Sequence, residues 1–231
     1  MPDLPIDFDK VVVTGAEFQK HLPWLDLVAV GGTASALHAQ HRVSHDVDFL
    51  TKNLKPRFEE ILSHITEWSE WKTNRIQSPV IILGEAHNVR LGVRQQIREK
   101  PFDTVQLNGL RIPTLEECFK IKVFLVGKRR ATRDYVDACA LLDKLPEDTA
   151  YRLLSEMDGD FPSVDNLSNT ARFATAVRQI PADFLKAPLS QFEGLKHPYT
   201  DWDYIEHKLI RLSILFLEKR LTEEKTRDIQ P

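Results

Sequence analysis

The residues from Gly31 to Phe49 bring together groups that suit polyphosphate chemistry: Gly31-Gly32-Thr33, followed by Arg42-Val43-Ser44-His45-Asp46-Val47-Asp48-Phe49. On a strand, residues two apart share a face, so Asp46 and Asp48 project together while Val47 and Phe49 point into the core. Two carboxylates on one face suit a divalent cation. Mg²⁺ takes oxygen ligands in near-octahedral array and commonly uses only one or two carboxylates, leaving places for substrate phosphates. Mn²⁺ accepts the same donor types. Gly31 and Gly32 can adopt positive φ and let a phosphate approach the backbone. Thr33 adds a hydroxyl at the start of a predicted helix, Ala34 to Gln40, where unpaired N–H groups favour anions. Ser44 is read as a backbone or metal-shell group, because no histidine and carboxylate relay that would make it a nucleophile can be traced.

A second set lies downstream, at Lys122, Arg129, Arg133, Asp134 and Asp137. At helical spacing Leu115, Cys118, Phe119, Lys122, Val126 and Arg129 form one stripe, so Lys122 faces the apolar side. A lysine there either snorkels outward or has an anionic partner, since an unpaired buried ammonium is costly. Asp134 and Asp137 can supply that partner within the protein, and Arg133 can pair with Asp137 at i,i+4. Alternatively the cations face a bound phosphate, because phosphoryl chemistry needs fixed positive charge opposite metal carboxylates.

The elements that must position these groups follow from periodicity and punctuation. Val11 to Val13 is a short apolar run, Glu17 to His21 a short helix, and Leu25 to Val30 a buried strand ending at the glycine turn. The next strand runs Val47 to Thr51, and a helix begins at Lys55-Pro56 and continues to about Trp68, giving a βαβ-like unit. Val80 to Leu83 and Val89 to Ile97 are predicted strands joined through Gly84 to Asn88, and Asn108-Gly109 is a two-residue hairpin signal. Thr114 caps a helix from Leu115 to Lys128, with Glu116 and Glu117 in its first turn, and Thr132 caps another that ends near Leu145. After Pro146 helical segments are expected at about Asp148 to Met157, Asp165 to Gln179 and Asp203 to Leu221, with a polar, fraying end from Thr222 to Pro231. The expected organisation is an α/β (α+β) domain over 1–145, a mixed sheet flanked by helices, and a helical bundle over 146–231.

Composition narrows the class. The chain has 231 residues, 42% hydrophobic and 28% charged, with a formal net charge of −3. These are ordinary globular values, and they predict no whole-protein attraction to nucleic acid. Cys118 and Cys139 both lie in apolar helical patterns, which points to buried free thiols and a reducing, cytoplasmic setting. Met1 to Phe8 has prolines and acids where a targeting segment would have a basic start and an apolar run. No run approaches the roughly 18 apolar residues of a membrane span. His38, His41 and His45 cluster near the acids, but no cysteine or fixed carboxylate completes a tetrahedral set with them. Trp68, Trp71 and Trp202 are read as packing anchors.

The two motifs together resemble the nucleotidyltransferase fold of the DNA polymerase β superfamily, and more closely the AbiE-type abortive-infection toxins of type IV toxin–antitoxin pairs. The match rests on Gly31-Gly32-Thr33 with Arg42-x-Ser44-x-Asp46-x-Asp48-Phe49, then Lys122-x-x-Leu125-x-x-x-Arg129-x-x-x-Arg133-Asp134-x-x-Asp137, and covers roughly Val28 to Leu145. The resemblance implies that Asp46 and Asp48 hold Mg²⁺ and that the turn at Gly31, Gly32 and Thr33, with Ser44 nearby, cradles a nucleoside triphosphate. It further implies that Lys122 and Arg129 neutralise the phosphates and that Asp134 orients Lys122 or the acceptor. The implied reaction is attack by an acceptor hydroxyl, of a tRNA or a protein, on the α-phosphorus with release of pyrophosphate; a cognate antitoxin is the implied partner. One departure stands out. Polymerase-like members carry a third carboxylate on a later strand, whereas the candidate strand here reads Val89-Arg90-Leu91-Gly92-Val93-Arg94. A nucleotide-binding regulatory module without turnover is therefore the alternative reading.

Overall fold

The structure is a computed structural model that describes residues 7–161, 163 and 167–229. Residues 1–6 of the Met1 to Phe8 stretch, the expected helix start at Asp165 and the last two residues lie outside the described residues, as do the side chains from 223 onward. The chain divides into two compact units, Met1–Cys118 and Phe119–Pro231. The division falls inside the helix Leu115–Arg129.

The first unit is built on a five-stranded mixed sheet in the order β1-β2-β5-β4-β3: β1 Val28–Val30, β2 Asp46–Thr51, β3 Lys72–Gln77, β4 Ile81–Ala86 and β5 Val89–Gln95. Only β2 and β5 are parallel neighbours; β1 runs antiparallel to β2, and β4 runs antiparallel to both β3 and β5. In this order β5 and β4 lie between β2 and β3, and β3 is a strand that the sequence did not lead one to expect. Alternation decides the two faces. Val47, Phe49, Val89 and Val93 are fully buried and Leu91 nearly so. Asp46, Asp48 and Leu50, on the other face of β2, are half-buried.

Helix α1, Phe8–His21, covers the buried face. It is one continuous helix where an apolar run and a separate short helix were expected, because Val11, Val12, Ala16 and Phe18 form a single stripe that the sheet buries. Phe18 packs on Phe49, Trp68 and Trp71, with ring centroids 5.2, 5.8 and 5.5 Å away. This cluster ties α1 to the sheet and to the end of α3, Phe58–Glu67. Strands β6, Thr104–Leu107, and β7, Leu110–Pro113, form a separate hairpin. Its turn residues Asn108 and Gly109 have φ of 49° and 82°, the left-handed pair that the Asn-Gly signal predicts.

Helix α4 spans Leu115–Arg129, and the Thr114 hydroxyl caps it by accepting from Glu117 N at 3.3 Å. In the second unit α5, Thr132–Leu142, is buried at nearly every position. Around it lie α6 Glu147–Asp160, α7 Asn169–Ala176 and α8 Trp202–Ile229. Thr132 is the first residue of α5 rather than its cap. The capping acceptor comes from far along the chain: Asp183 Oδ1 accepts from Thr132 N at 2.7 Å and from its hydroxyl at 2.8 Å. Tyr135 donates to Ala176 O at 3.0 Å and packs on Trp202 at 5.5 Å. Cys118 and Cys139 are buried free thiols, and burial pushes the Cys139 thiol well above its usual value.

Candidate nucleotide site

Strand β1 delivers the chain directly into α2, Gly31–Ala39, with no side chain capping the helix at Val30. Gly31 sits at φ +76°, a left-handed conformation that costs other residues energy. Register places Val30 opposite Asp48, so the elbow at Gly31 stands over the second carboxylate; a Cβ on Gly31 would lie 4.0 Å from Asp48 Oδ2. Gly32 is equally confined, since a Cβ there would fall 2.6 Å from Arg42 Nη2 and 2.8 Å from Ser44 Oγ. The glycine turn thus lies beside the Asp48 carboxylate.

Thr33 and Ser44 are placed differently from a phosphate cradle. Thr33 is fully buried and its hydroxyl donates to the carbonyl of Asp46. Ser44, also buried, donates toward Asp46 Oδ1 at 3.4 Å. Both hydroxyls therefore fix the start of β2 and the first carboxylate, and what the turn offers an anion is its backbone N–H groups.

Beside the acids lies β5, where parity puts Arg90, Gly92 and Arg94 on the same face. Asp46 faces Arg90 and Asp48 faces Gly92 across the parallel ladder. Arg94 Nε donates to Asp48 Oδ1 at 3.1 Å, with both side chains partly exposed, at 40% and 35%. The row through Asp46 continues Arg90, Glu85, Lys72 and alternates in sign across the sheet, with Lys72 Nζ 3.9 Å from Glu85. Sequence reasoning missed the Arg94–Asp48 pair. Its signal was the matching parity, but the parallel register of β2 on β5 was needed to read it.

The second predicted set closes on itself within the helical unit. Lys122, 2% exposed, places its ammonium 3.3 Å from Asp134 Oδ1 and 2.7 Å from Asp137 Oδ2, both carboxylates being fully buried. Arg129 grips Asp134 with two bonds, Nε to Oδ2 at 2.5 Å and Nη2 to Oδ1 at 2.9 Å. This is the intramolecular salt-bridge alternative, with Lys122 facing both Asp134 and Asp137. The neighbouring Lys120 is likewise buried and pairs with Asp160 and with Glu156, the latter at 3.4 Å.

His38 Nε2 lies 2.8 Å from Pro113 O, and burial lowers its pKa. Among the described residues, no group of three or more His, Cys, Asp or Glu side chains is arranged to hold a metal ion.

Known structures share this architecture. A Helicobacter pylori protein described as a nucleotidyltransferase superposes with a TM-score of 0.54 at 17% identity, covering 91% of this chain and 94% of its own. JHP933 from Helicobacter pylori gives 0.52 at 16%, covering 95% and 98%. The fold is therefore that of the nucleotidyltransferases. No family model matches the chain. In sequence it is 26% identical over 163 residues to the heme uptake protein MmpL11 of Mycobacterium tuberculosis, which covers 68% of this chain but 15% of that protein. Among the described residues no helix is long and apolar enough to cross a membrane.

Proposed function

We propose that the chain transfers a nucleotidyl group from a nucleoside triphosphate to an acceptor hydroxyl, with a divalent cation held at Asp46 and Asp48. The observation that carries this reading is the Gly31 elbow standing over the Asp48 carboxylate, at the uncapped start of α2. Phosphate oxygens need N–H donors and a neutralised acid pair in one place, and this corner of the sheet offers both.

The donor set fits one Mg²⁺ or Mn²⁺ ion. Two partly exposed carboxylates on one strand face leave coordination places for phosphate oxygens and water. A second ion held by the protein does not fit, because β5 presents Arg90 and Gly92 where another acid would be required. Bound there, the cation would supply Lewis-acid stabilisation of charge on the phosphoryl oxygens. The protein's own contribution is positional. Thr33 and Ser44 hold Asp46, and the N–H groups from Gly31 onward orient the phosphates so that an acceptor hydroxyl can attack the α-phosphorus and expel pyrophosphate.

The finer reading, a toxin of a type IV pair that modifies a tRNA end or a protein and is silenced by an antitoxin, draws on the motif resemblance alone. The regulatory-module reading has a specific observation in its favour: Asp48 already has a cationic partner in Arg94. Incubation with each α-labelled nucleoside triphosphate, Mg²⁺ and total cellular RNA or protein separates them. Transfer of label, lost in Asp46→Asn and Asp48→Asn, supports the enzyme; nucleotide binding without transfer supports the regulatory module; absence of both removes this reading.

A further inference from the structure

Strand β5 does more than lack an acid. The Asp48 carboxylate lies across it: a Cβ on Gly92 would fall 2.7 Å from Asp48 Oδ1 and 2.9 Å from Leu83 Cδ2. A side chain at that position would displace the carboxylate from the strand, and the oxygen that leans over Gly92 is the one Arg94 Nε holds at 3.1 Å. Arg90 stands opposite Asp46 two residues earlier on the same face. Both acids thus have a guanidinium opposite or diagonal to them, on the strand that would otherwise complete an acidic site.

We propose that Arg94 is the resident counter-ion of Asp48 and competes with the divalent cation for Oδ1, so that the ion enters only when a polyphosphate accompanies it. The proposal rests on the nucleotide-site reading above and concerns its regulation. The physical case is electrostatic. A dication approaching Oδ1 must displace a charge-assisted hydrogen bond and meets the repulsion of a guanidinium about 3 Å from the same oxygen. A triphosphate reverses the sign of that contact, because the displaced guanidinium then has phosphate oxygens to donate to. Arg94 is 40% exposed and sits on a side chain long enough to turn, so the exchange needs no backbone movement. Asp48, 35% exposed, stays hydrated when its partner leaves.

The test measures Mn²⁺ binding to the full chain without nucleotide, by the electron paramagnetic resonance signal of free Mn²⁺, for wild type, Arg94→Met, Asp48→Asn and Arg94→Met/Asp48→Asn. Circular dichroism confirms that each variant is folded. The proposal expects weak binding by wild type, about two- to fivefold tighter binding by Arg94→Met, and loss of that gain in the double variant. It also expects a non-hydrolysable triphosphate to tighten Mn²⁺ binding more in wild type than in Arg94→Met. Equal or weaker binding by Arg94→Met, with Asp48→Asn still abolishing binding in wild type, overturns the role of Arg94 and leaves the metal site standing. Binding insensitive to Asp48→Asn in every background overturns both.

Discussion

Replacing Lys122 by methionine asks whether this lysine holds the helical unit together. Methionine keeps most of the volume and removes the ammonium. In the wild type two cations, Lys122 and Arg129, face two fully buried carboxylates, Asp134 and Asp137. After the change Arg129 still neutralises Asp134, but Asp137 loses its 2.7 Å partner. Removing one member of a buried pair typically costs about 3–5 kcal/mol. With Arg129 retained the lower end applies, about 3 kcal/mol, which lowers the melting temperature by roughly 10 °C in a chain of this size. Urea and thermal unfolding followed by circular dichroism measure it. Adding Asp137→Leu removes the carboxylate that faced the ammonium, so the double variant recovers at least half of the loss. Lys128→Met, at an exposed position on the same helix, changes stability by less than about 0.5 kcal/mol. If Lys122→Met costs no more than that control, or if the double variant is the less stable of the two, the lysine is not a structural tie between α4 and α5.

Asp183→Ala deletes the acceptor for the first N–H and the hydroxyl of α5 and costs about 1–2 kcal/mol in urea unfolding, whereas Thr132→Ser retains most of the stability. His38 is half-buried with its pKa lowered from 6.5 by desolvation, so the folded state binds a proton less readily than the unfolded state. Stability therefore falls as pH drops below about 6.5 toward the lowered value, and a His38→Gln variant has a flatter urea midpoint between pH 7.5 and 5. Cys118 and Cys139 are both buried, and desolvation raises the Cys139 thiol. Neither reacts with a thiol reagent in the native state, and both react in urea.

What the sequence conveys here is local parity and punctuation. Asp46 and Asp48 were legible as a same-face pair because Val47 and Phe49 between and beside them are apolar, and the Asn108-Gly109 turn because its φ values admit few other residues. β3 was not legible. Its six residues, Lys72–Gln77, are all exposed at the sheet edge, so no alternation marks them. The Asp183 cap and the Arg94–Asp48 pair are contacts across 51 and 46 positions of sequence, set by packing and strand register rather than by spacing. For Lys122 the apolar stripe announced burial but did not choose between a phosphate and a carboxylate as its partner. The structure supplies the carboxylates.

The central claim is that Asp46 and Asp48 hold a divalent cation beneath the Gly31 elbow. Crystals grown with Mn²⁺ and a non-hydrolysable nucleoside triphosphate, measured at the manganese absorption edge, address it directly. The account predicts an anomalous peak within about 2.3 Å of oxygens from both carboxylates, with the phosphates against the Gly31 and Gly32 N–H groups. Manganese and triphosphate bound elsewhere, with Arg94 still on Asp48, would contradict it.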